Sequence, residues 1–246
     1  MSIWTLSDLH LAISKPSKDM GFFGPSWEGY MEKIKDNWLT FIRPEDLVLI
    51  PGDISWAMTL EEAKVDLSWI DNLPGVKLIL KGNHDYWWAS SSKMKMAMPP
   101  SIHFIYNNAF NWKGVTIGGS RLWDTTEYRF SSFIEYKENP KEKKGPSAPE
   151  VDQKVFQKEL ERLRSSLKEL DPKASLRIAM VHYPPIGADL ADSAVSAILE
   201  EFRIDVCVFG HLHSVLKGSL PFGTKNGIRY VFASCDYLEF KPVCIL

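Results

Sequence analysis

Short apolar runs alternate along the chain with longer stretches in which apolar and charged positions mix. Seven of the apolar runs have the length of a strand, and polar positions do not alternate regularly within them. Such runs are typical of strands that are covered on both faces. The pattern predicts strands over residues 3–6, 47–50, 76–80, 115–117, 177–181, 206–209 and 229–233.

Three of the stretches between these runs have helical periodicity. The clearest lies within residues 150–170, where apolar residues recur at steps of four and three and form one stripe on a charged helix. The stripe consists of Phe156, Leu160, Leu163, Leu167 and Leu170. Weaker patterns predict helices over residues 27–41 and 60–70. The alternation of strands and helices predicts an α/β fold.

The 246 residues are expected to form a single domain that spans residues 1–246. Residues 136–149 are rich in charge, proline and glycine, which predicts an exposed loop before the long helix. The lysines of this segment could contact an acidic ligand, but a solvated loop is the better interpretation of such a charge run. Residues 15–25 form the second predicted loop.

Composition and charge narrow the classes of function. With 29 basic and 31 acidic residues the formal net charge is -2, so no overall field attracts nucleic acid or an anionic membrane. A local basic patch, and with it a nucleic acid partner, is left open. The chain begins without a signal-peptide pattern, and no apolar window is long enough to cross a membrane. Because the three cysteines lack CxxC spacing and lie in apolar contexts, we expect buried, reduced thiols in a cytoplasmic protein without a membrane segment.

Polar residues with ligand chemistry follow five of the apolar runs. In α/β sheets the ligand crevice lies outside the carboxyl ends of the strands, so these residues are expected to meet there. Five of the six histidines fall at these positions, and only His103 does not. Each motif alone could be a turn or a buried histidine, but five together favour one shared site. The candidate metal ligands are Asp8, His10, Asp53, Asn83, His182, His211 and His213.

The number and type of these ligands predict two metal ions. Seven nitrogen and oxygen ligands exceed those of one tetrahedral zinc site, whereas two adjacent ions that share a bridging carboxylate would use them all. Imidazole with carboxylate favours Mn, Fe, Zn or Co over Mg and Ca, and ligand type does not select one of them. We take Mn as the first choice, with Fe, Zn, Ni or Co as alternatives. Two such ions, about 3.5–4 Å apart, would hold a bridging hydroxide that attacks a phosphoryl group in line. The ligand set therefore predicts a phosphoester hydrolase.

Two residues next to the ligand Asn83 are candidate catalytic residues. The leaving alkoxide needs a proton or a positive partner, and His84 is placed to supply it. Asp85 either orients His84 or caps the following helix, and the sequence leaves both roles open.

Arg121 and Trp87 are candidates for substrate binding. Arg121 follows a predicted strand and could bind a phosphate bidentately, or it could pair with Asp124 or Glu127. Trp87 lies in the aromatic run 86–88 and could stack on a nucleobase or sugar, or it could pack a helix onto the sheet.

The chain carries, in order, the motifs D-x-H, G-D, G-N-H-[DE], H and G-H-x-H. They occur as Asp8-Leu9-His10, Gly52-Asp53, Gly82-Asn83-His84-Asp85, His182 and Gly210-His211-Leu212-His213. With this complete and ordered set, which spans residues 8–213, the chain resembles the calcineurin-like metallophosphoesterases. The resemblance implies a four-layer α/β/β/α sandwich, in which two mixed sheets are flanked by helices and the site lies at the strand ends.

The resemblance also implies a role for each motif residue. The first metal would be held by Asp8, His10 and His213. The second metal would be held by Asn83, His182 and His211. Asp53 would bridge both ions, and His84 would be the acid or the stabiliser of the transition state.

Departures from related groups narrow the class of substrate. Protein Ser/Thr phosphatases of this superfamily continue from Gly-Asp into an Asp-Arg-Gly segment, whereas Trp56 stands where their second Asp would fall. Lipid A precursor hydrolases place Arg where His84 stands, and the DNA nucleases of the superfamily are longer. We therefore expect a small or medium phosphomonoester or phosphodiester. A cyclic-nucleotide or nucleic-acid phosphodiesterase is one alternative, and a non-catalytic metal-binding scaffold is the other.

Overall fold

The structure of the protein is a computed structural model that describes residues 1–135, 149–219 and 222–246. The predicted loop over residues 136–149 lies outside the described residues except for Pro149, where a helix begins. The described residues form eleven strands: β1 Ile3–Thr5, β2 Leu47–Ile50, β3 Val76–Ile79, β4 Ile102–Phe104, β5 Phe110–Trp112, β6 Val115–Ser120, β7 Leu176–Val181, β8 Val206–Phe209, β9 Thr224–Lys225, β10 Ile228–Phe232 and β11 Val243–Cys244. They also form five α-helices: α1 Tyr30–Phe41, α2 Leu60–Asp71, α3 Ser91–Ala97, α4 Pro149–Lys168 and α5 Ala194–Glu201.

All seven predicted strands are confirmed, and β6 is longer than predicted. It continues to Ser120 because Gly118 and Gly119, which the apolar pattern excludes, pair with Ala179 and Met180 of β7. A Cβ atom at Gly119 would lie 1.7 Å from the carbonyl oxygen of Met180, so only glycine fits this close strand contact. The pattern does not predict β4, β5, β9 and β11, because runs of two or three residues carry no periodic signal.

The three predicted helices are also confirmed, with a later start for α1. Residues 25–27 form a separate 3-10 turn. Gly29, at a φ of 62°, lies in the left-handed region and reverses the course of the backbone directly before the helix. The sequence pattern misses α3 and α5, which have seven and eight residues and are too short for a full apolar stripe.

Two mixed sheets carry the fold. The first has the strand order β11-β1-β2-β3-β4, in which β1 to β4 are parallel and β11 is antiparallel to β1. The second has the order β5-β6-β7-β8-β10-β9, with antiparallel strands at its two edges. A parallel bridge between Ser7 and Ser234 joins the ends of β1 and β10. The carboxyl ends of the parallel strands of both sheets therefore meet at one edge.

Three apolar cores separate four layers. In β2, Leu47 and Leu49 enter the core between the two sheets, whereas Val48 and Ile50 enter the core beneath α1, α2 and α3. The third core packs the predicted apolar stripe of α4, together with α5, against the second sheet. The predicted four-layer α/β/β/α sandwich is therefore confirmed.

Asp46 ties the start of the chain to the turn before β2. Its buried carboxylate accepts hydrogen bonds from the backbone N–H groups of Ser2 at 2.7 Å and Arg43 at 3.0 Å, and from the indole N–H of Trp4 at 3.2 Å. Burial raises the pKa of this carboxyl, but the three donors outweigh burial and hold the pKa below its usual value.

Replacing Asp46 with asparagine is expected to lower the free energy of unfolding at neutral pH by about 1–2 kcal/mol, because charge-assisted hydrogen bonds become neutral ones. The folded pKa lies below the unfolded value of about 3.9, so the carboxylate stabilises the fold above that pH and loses its effect as pH falls through the folded pKa. Urea unfolding of metal-free protein should show a smaller difference between parent and variant at about pH 3 than at about pH 7. An equal difference at both would contradict this account.

Of the three cysteines, Cys207 and Cys235 are buried as predicted, whereas Cys244 is exposed on the edge strand β11. All three are free thiols. Within the described parts of the chain, no helix combines the length and the apolar character needed to span a membrane. The single domain and the cytoplasmic location stay predictions.

Candidate metal centre

Hydrogen bonds donated by backbone N–H groups hold the loops after β1, β2 and β8 together. The N–H of Asp8 donates to the carbonyl oxygen of Gly52 at 3.0 Å. The N–H of His10 donates to the carbonyl oxygen of Asp53 at 2.9 Å. The N–H of His211 donates to the carboxylate of Asp8 at 3.1 Å. These bonds bring side chains from both sheets to the shared edge.

Four of the predicted ligands form a first group, in which the nearest ligand atoms all lie within 4.8 Å of one another: Asp8, His10, Asp53 and His213. The Nε2 atoms of His10 and His213 are 3.0 Å apart. His213 Nε2 is also 3.8 Å from Asp8 Oδ1. Because His10 and both carboxylates are buried and His213 is half-buried, the group is largely shielded from water.

Asn83, His182 and His211 form a second group. Asn83 Oδ1 lies 2.7 Å from His182 Nε2 and 3.0 Å from His211 Nδ1. The two ring nitrogens are 3.3 Å apart. The structure thus brings all seven predicted ligands together, and apart from Asp53, which the resemblance shares between the ions, the two groups have the members that the resemblance implies.

Asp53 belongs to the first group but also lies next to the second. Its Oδ2 is 3.6 Å from His10 Nε2 of the first group and 3.6 Å from His182 Nε2 of the second. Its Oδ1 accepts a hydrogen bond from the backbone N–H of His84 at 2.8 Å. Burial, together with two neighbouring carboxylates, raises the pKa of Asp53 well above its usual value. The charge of this carboxylate is therefore poorly compensated by the protein alone.

The electrostatics of the site suit cations. Burial lowers the pKa of His10 and His182 well below the usual value and lowers the pKa of His211 to about 3, so these rings are neutral. His182 Nδ1 lies 2.8 Å from the carbonyl oxygen of Pro51, which holds the ring proton there and leaves a lone pair on Nε2. Lone pairs of neutral imidazoles that converge with buried carboxylates form a donor set for divalent transition metals. The residues present therefore fit the predicted ions.

Asp236 is a site residue that the sequence motifs do not include. Its Oδ1 lies 3.1 Å from His213 Nδ1, and its Oδ2 accepts the N–H of Ser214 at 2.9 Å. A proton held on Nδ1 by this carboxylate leaves Nε2 free to face the first group. Burial lowers the pKa of His213, but Asp236 and the carboxylates of the first group outweigh burial and raise the pKa to about 9. In the metal-free protein Nε2 therefore also carries a proton at neutral pH, which a metal ion would displace. The sequence could have indicated Asp236 through its position, because it follows β10, whose carboxyl end lies at the same edge of the sheets as the metal ligands.

Four of the ligand-type residues have unusual backbone conformations. Their φ values are positive: Asp8 (60°), His10 (45°), Asp53 (51°) and His211 (75°). Each such non-glycine residue costs about 1 kcal/mol or more, and such costs are concentrated at functional sites. Gly82 serves a different need, since a Cβ atom there would lie 2.1 Å from Asp53 Oδ1. The glycine is required because the backbone passes close to the shared carboxylate.

His84 lies beside the first group. Its ring centroid is 5.6 Å from that of His10 and 4.7 Å from that of Trp56. Within the part of the chain that the structure describes, neither ring nitrogen has a hydrogen-bond partner. Burial, followed by the positive charges of His213 and Lys18, lowers the pKa of His84 to about 4. The ring is therefore neutral at neutral pH, with an N–H free to bind a ligand.

Asp85 has neither of the two roles that the sequence leaves open. Its buried carboxylate accepts hydrogen bonds from the N–H groups of Gly82 at 2.7 Å and Ile54 at 2.9 Å, and from the indole N–H of Trp87 at 3.0 Å. It makes no bond to the ring of His84, and α3 begins several residues later with a different cap residue. The prediction of a catalytic Asp85 is corrected: the residue ties the loop after β3 to the loop after β2.

Trp87 also departs from its predicted role. Its side chain is 2% exposed and packs in the core beneath α1, α2 and α3, so it does not line the cleft. Packing within the core is therefore the correct alternative. Arg121 is half-buried, forms an ion pair with Glu159 of α4 at 3.3 Å, and stacks on the ring of Trp123 at 4.5 Å. Its predicted contact with substrate stays a prediction.

Two tryptophans cover the first group. The ring of Trp56 stacks on His10 with centroids 4.9 Å apart and an angle of 24°. The ring of Trp27 meets His213 edge-on at 5.6 Å. Apolar rings in these positions exclude water from the imidazoles and fix their orientation.

The fold and the site define an α/β/β/α sandwich protein with a candidate metal centre at the carboxyl ends of its strands. Comparison with known families gives the same class. The chain belongs to the calcineurin-like phosphoesterase family, whose sequence model matches residues 1–215.

Individual proteins are similar to this chain over different lengths. The Gene 66 protein of Mycobacterium phage D29 is 36% identical over 85 residues, which are 34% of this chain and 40% of the phage protein. A protein of unknown function from Aquifex aeolicus superimposes over 99% of this chain and 95% of its own, with 16% identity and a TM-score of 0.51. A phosphopantetheinyl hydrolase from Mycobacterium tuberculosis superimposes over 100% and 95%, with 14% identity and a TM-score of 0.54. At these identities the two structures show a shared fold.

Proposed function

We propose that the protein is a dinuclear metal-dependent phosphoesterase that hydrolyses a phosphomonoester or a phosphodiester. The observation that carries the proposal is the position of Asp53, whose Oδ2 lies 3.6 Å from a histidine of each ligand group. One carboxylate oxygen between two sets of neutral imidazoles and oxygen ligands suits a pair of divalent ions. Membership of the family supports a phosphate ester as the substrate.

Each group would hold one ion, with Asp53 shared between them. The first ion would be held by Asp8, His10 and His213, and the second by Asn83, His182 and His211. Divalent ions at such a site lower the pKa of water and offset the charge of the phosphoryl oxygens. Mn remains our first choice and Fe, Zn, Ni or Co are the alternatives; all five accept mixed nitrogen and oxygen ligands.

His84 supplies a hydrogen-bond donor next to the ions. Because burial keeps the pKa of its ring near 4, the neutral ring donates a hydrogen bond to the leaving oxygen without first carrying an extra proton. Its ring lies 5.6 Å from that of His10, so a phosphoryl group held at the first ion would be within its reach. Of the two roles that the resemblance implies, this environment favours the stabiliser of the transition state.

A cavity beside the second group suits the organic part of an ester. It has a volume of about 510 Å³, and His211 forms part of its wall. The aromatic residues of the wall are Trp123, Tyr128, Phe130 and Tyr183. Aromatic walls bind planar or apolar groups, with a few polar groups to fix their orientation. This cavity supports an organic phosphate ester of small or medium size.

Removal and restoration of metal tests the proposal. Metal-free protein is expected to be inactive, and addition of Mn should restore hydrolysis of p-nitrophenyl phosphate or of its bis ester, with two ions bound per chain. The ratio of kcat/KM for the two esters separates a monoesterase from a diesterase. If neither ester turns over with Mn, Fe, Ni, Zn or Co, the phosphoesterase proposal fails and the metal-binding scaffold is favoured.

A further inference from the structure

A second cavity, of about 390 Å³, lies between the carboxyl ends of β3 and β6. Three basic side chains line it: Lys81 from the loop after β3, Arg121 from the loop after β6, and Arg162 from α4. Among its described lining residues, Glu159 of α4 is the one acidic side chain. We term it the cationic cavity, because its basic residues outnumber its acidic residue.

The positive charge of the cationic cavity is only partly neutralised. The carboxylate of Glu159 is 2% exposed, and one of its oxygens pairs with both Arg121, at 3.3 Å, and Arg162, at 2.6 Å. Two guanidinium groups therefore share one negative charge. The Nε of Arg121 is buried without a hydrogen-bond partner among the described residues, and the Lys81 ammonium likewise has no hydrogen bond or ion pair there. A buried donor and a half-buried ammonium group without partners favour an anionic ligand.

The cationic cavity is held next to the second ligand group. The carbonyl oxygen of Arg121 accepts the backbone N–H groups of His182 at 3.3 Å and Tyr183 at 3.0 Å. Lys81 precedes Asn83 by two residues, so their Cα atoms are at most about 7 Å apart. Lys81 thus lies on the loop that carries Asn83, and Arg121 is hydrogen-bonded to the loop that carries His182, so the cavity adjoins the second ligand group.

Hydrogen bonds and ring stacking fix the walls of the cavity and the side chain of Arg121. Ser120 Oγ donates to the carbonyl oxygen of Glu159 at 3.2 Å, which joins the end of β6 to α4. The guanidinium of Arg121 stacks on the ring of Trp123 at 4.5 Å. A guanidinium fixed on two sides loses little freedom when it binds an anion, and its planar donors match phosphate.

We propose that the cationic cavity binds a second phosphate group of a substrate whose scissile phosphate occupies the metal centre. Lys81 and Arg121 would contact this second phosphate, with Arg162 adding charge. The substrate class is then an organic compound with two phosphoryl groups. The role in catalysis rests on the proposed phosphoesterase function, whereas anion binding by the cavity does not depend on it.

Calorimetric titration of the full chain with inorganic phosphate, in the metal-free form, tests anion binding alone. Lys81→Met and Arg121→Met should each weaken association by roughly tenfold, because each removes a charge-assisted contact. Lys93→Met removes the same charge from an exposed position of α3 that does not line the cavity, and it should leave association unchanged. Glu159→Gln should tighten association, since it removes the competing carboxylate at nearly constant size.

If the cavity has another role, the phosphate affinities of the parent and the four variants will differ from those expected above. Absence of phosphate binding by the parent, or equal affinities of Arg121→Met, Lys93→Met and the parent, would overturn the proposal. So would weaker binding by a folded Glu159→Gln, because a purely structural ion pair gives no gain when its carboxylate is removed. Thermal unfolding by circular dichroism shows which variants are folded. If Glu159→Gln does not fold, Lys81→Met still tests the proposal, because it leaves both ion pairs of Glu159 intact.

Inhibition kinetics with Mn-loaded protein test whether the cavity contributes to substrate binding during turnover. Fructose 1,6-bisphosphate should inhibit hydrolysis of p-nitrophenyl phosphate more strongly than fructose 6-phosphate, and Arg121→Met should remove most of the difference. Equal inhibition by both compounds in an active parent would overturn the second-phosphate proposal while the phosphoesterase function stands. An inactive parent would instead defeat the proposed function, and the titration would still decide whether the cavity binds phosphate.

Discussion

Replacing Asp53 with asparagine is expected to abolish binding of the metal pair and to lower kcat/KM by roughly 1000-fold or more, since metal ions contribute several kcal/mol of transition-state stabilisation. Asp53 Oδ2 is 3.6 Å from a ring nitrogen of each ligand group, so its loss weakens both sites at once. The amide oxygen of the variant can still accept the backbone N–H of His84, which Oδ1 accepts at 2.8 Å in the parent. Its NH2 group, however, repels a cation.

Two measurements check this prediction: metal content by mass spectrometry after dialysis against Mn, and turnover of p-nitrophenyl phosphate. Asp36→Asn is the matched control, because it removes the same charge from an exposed position on α1. Burial raises the pKa of Asp53, so its charged form destabilises the metal-free fold at neutral pH. The metal-free variant should therefore unfold at a temperature no lower than the parent does. Two bound ions and normal turnover in the variant would contradict a shared carboxylate.

Much of the fold could be predicted because its central strands are covered on both faces. The runs in β2 and β8 are apolar throughout, and both of their faces enter cores. The edge strands β9 and β11 have two residues each, with polar or exposed positions, and they are defined by pairing with distant partners. Such strands have no local signal, because only the tertiary structure provides their hydrogen-bond partners.

The candidate ligands could be predicted because residue type and position at a strand end are both visible in the sequence. The contacts of the loops beyond the strand ends are not visible. Asp85 receives the N–H of Ile54, which lies 31 residues earlier, and this contact depends on how two loops pack together. The side chain of Trp87, in the same loop, points into the core, where its indole N–H donates to Asp85. Asp236 lies beyond the end of β10, and no histidine is near it in the sequence, so no motif includes it.

Replacing His84 with alanine is expected to lower kcat by about 100- to 10,000-fold, with metal content unchanged. The backbone N–H of His84, and not its ring, binds Asp53 Oδ1, so removal of the ring leaves the shared carboxylate held. The ring makes no hydrogen bond within the described residues that its loss would break. Single-turnover rates and metal analysis of the same preparation measure the two quantities. A variant that keeps the full rate would remove His84 from the mechanism.

Tyr86→Phe in the same loop is the control, since this side chain is 58% exposed and should not affect turnover. The pH profile then separates the two possible roles of His84. Burial lowers the pKa of its ring to about 4, and nearby divalent ions would disfavour the protonated form further. A ring that stays neutral contributes no titration between about pH 6 and pH 9, so kcat of parent and His84→Ala should change with pH in parallel. A descending limb in the parent that the variant lacks would instead identify His84 as a proton donor, because only a titrating imidazolium is lost as pH rises.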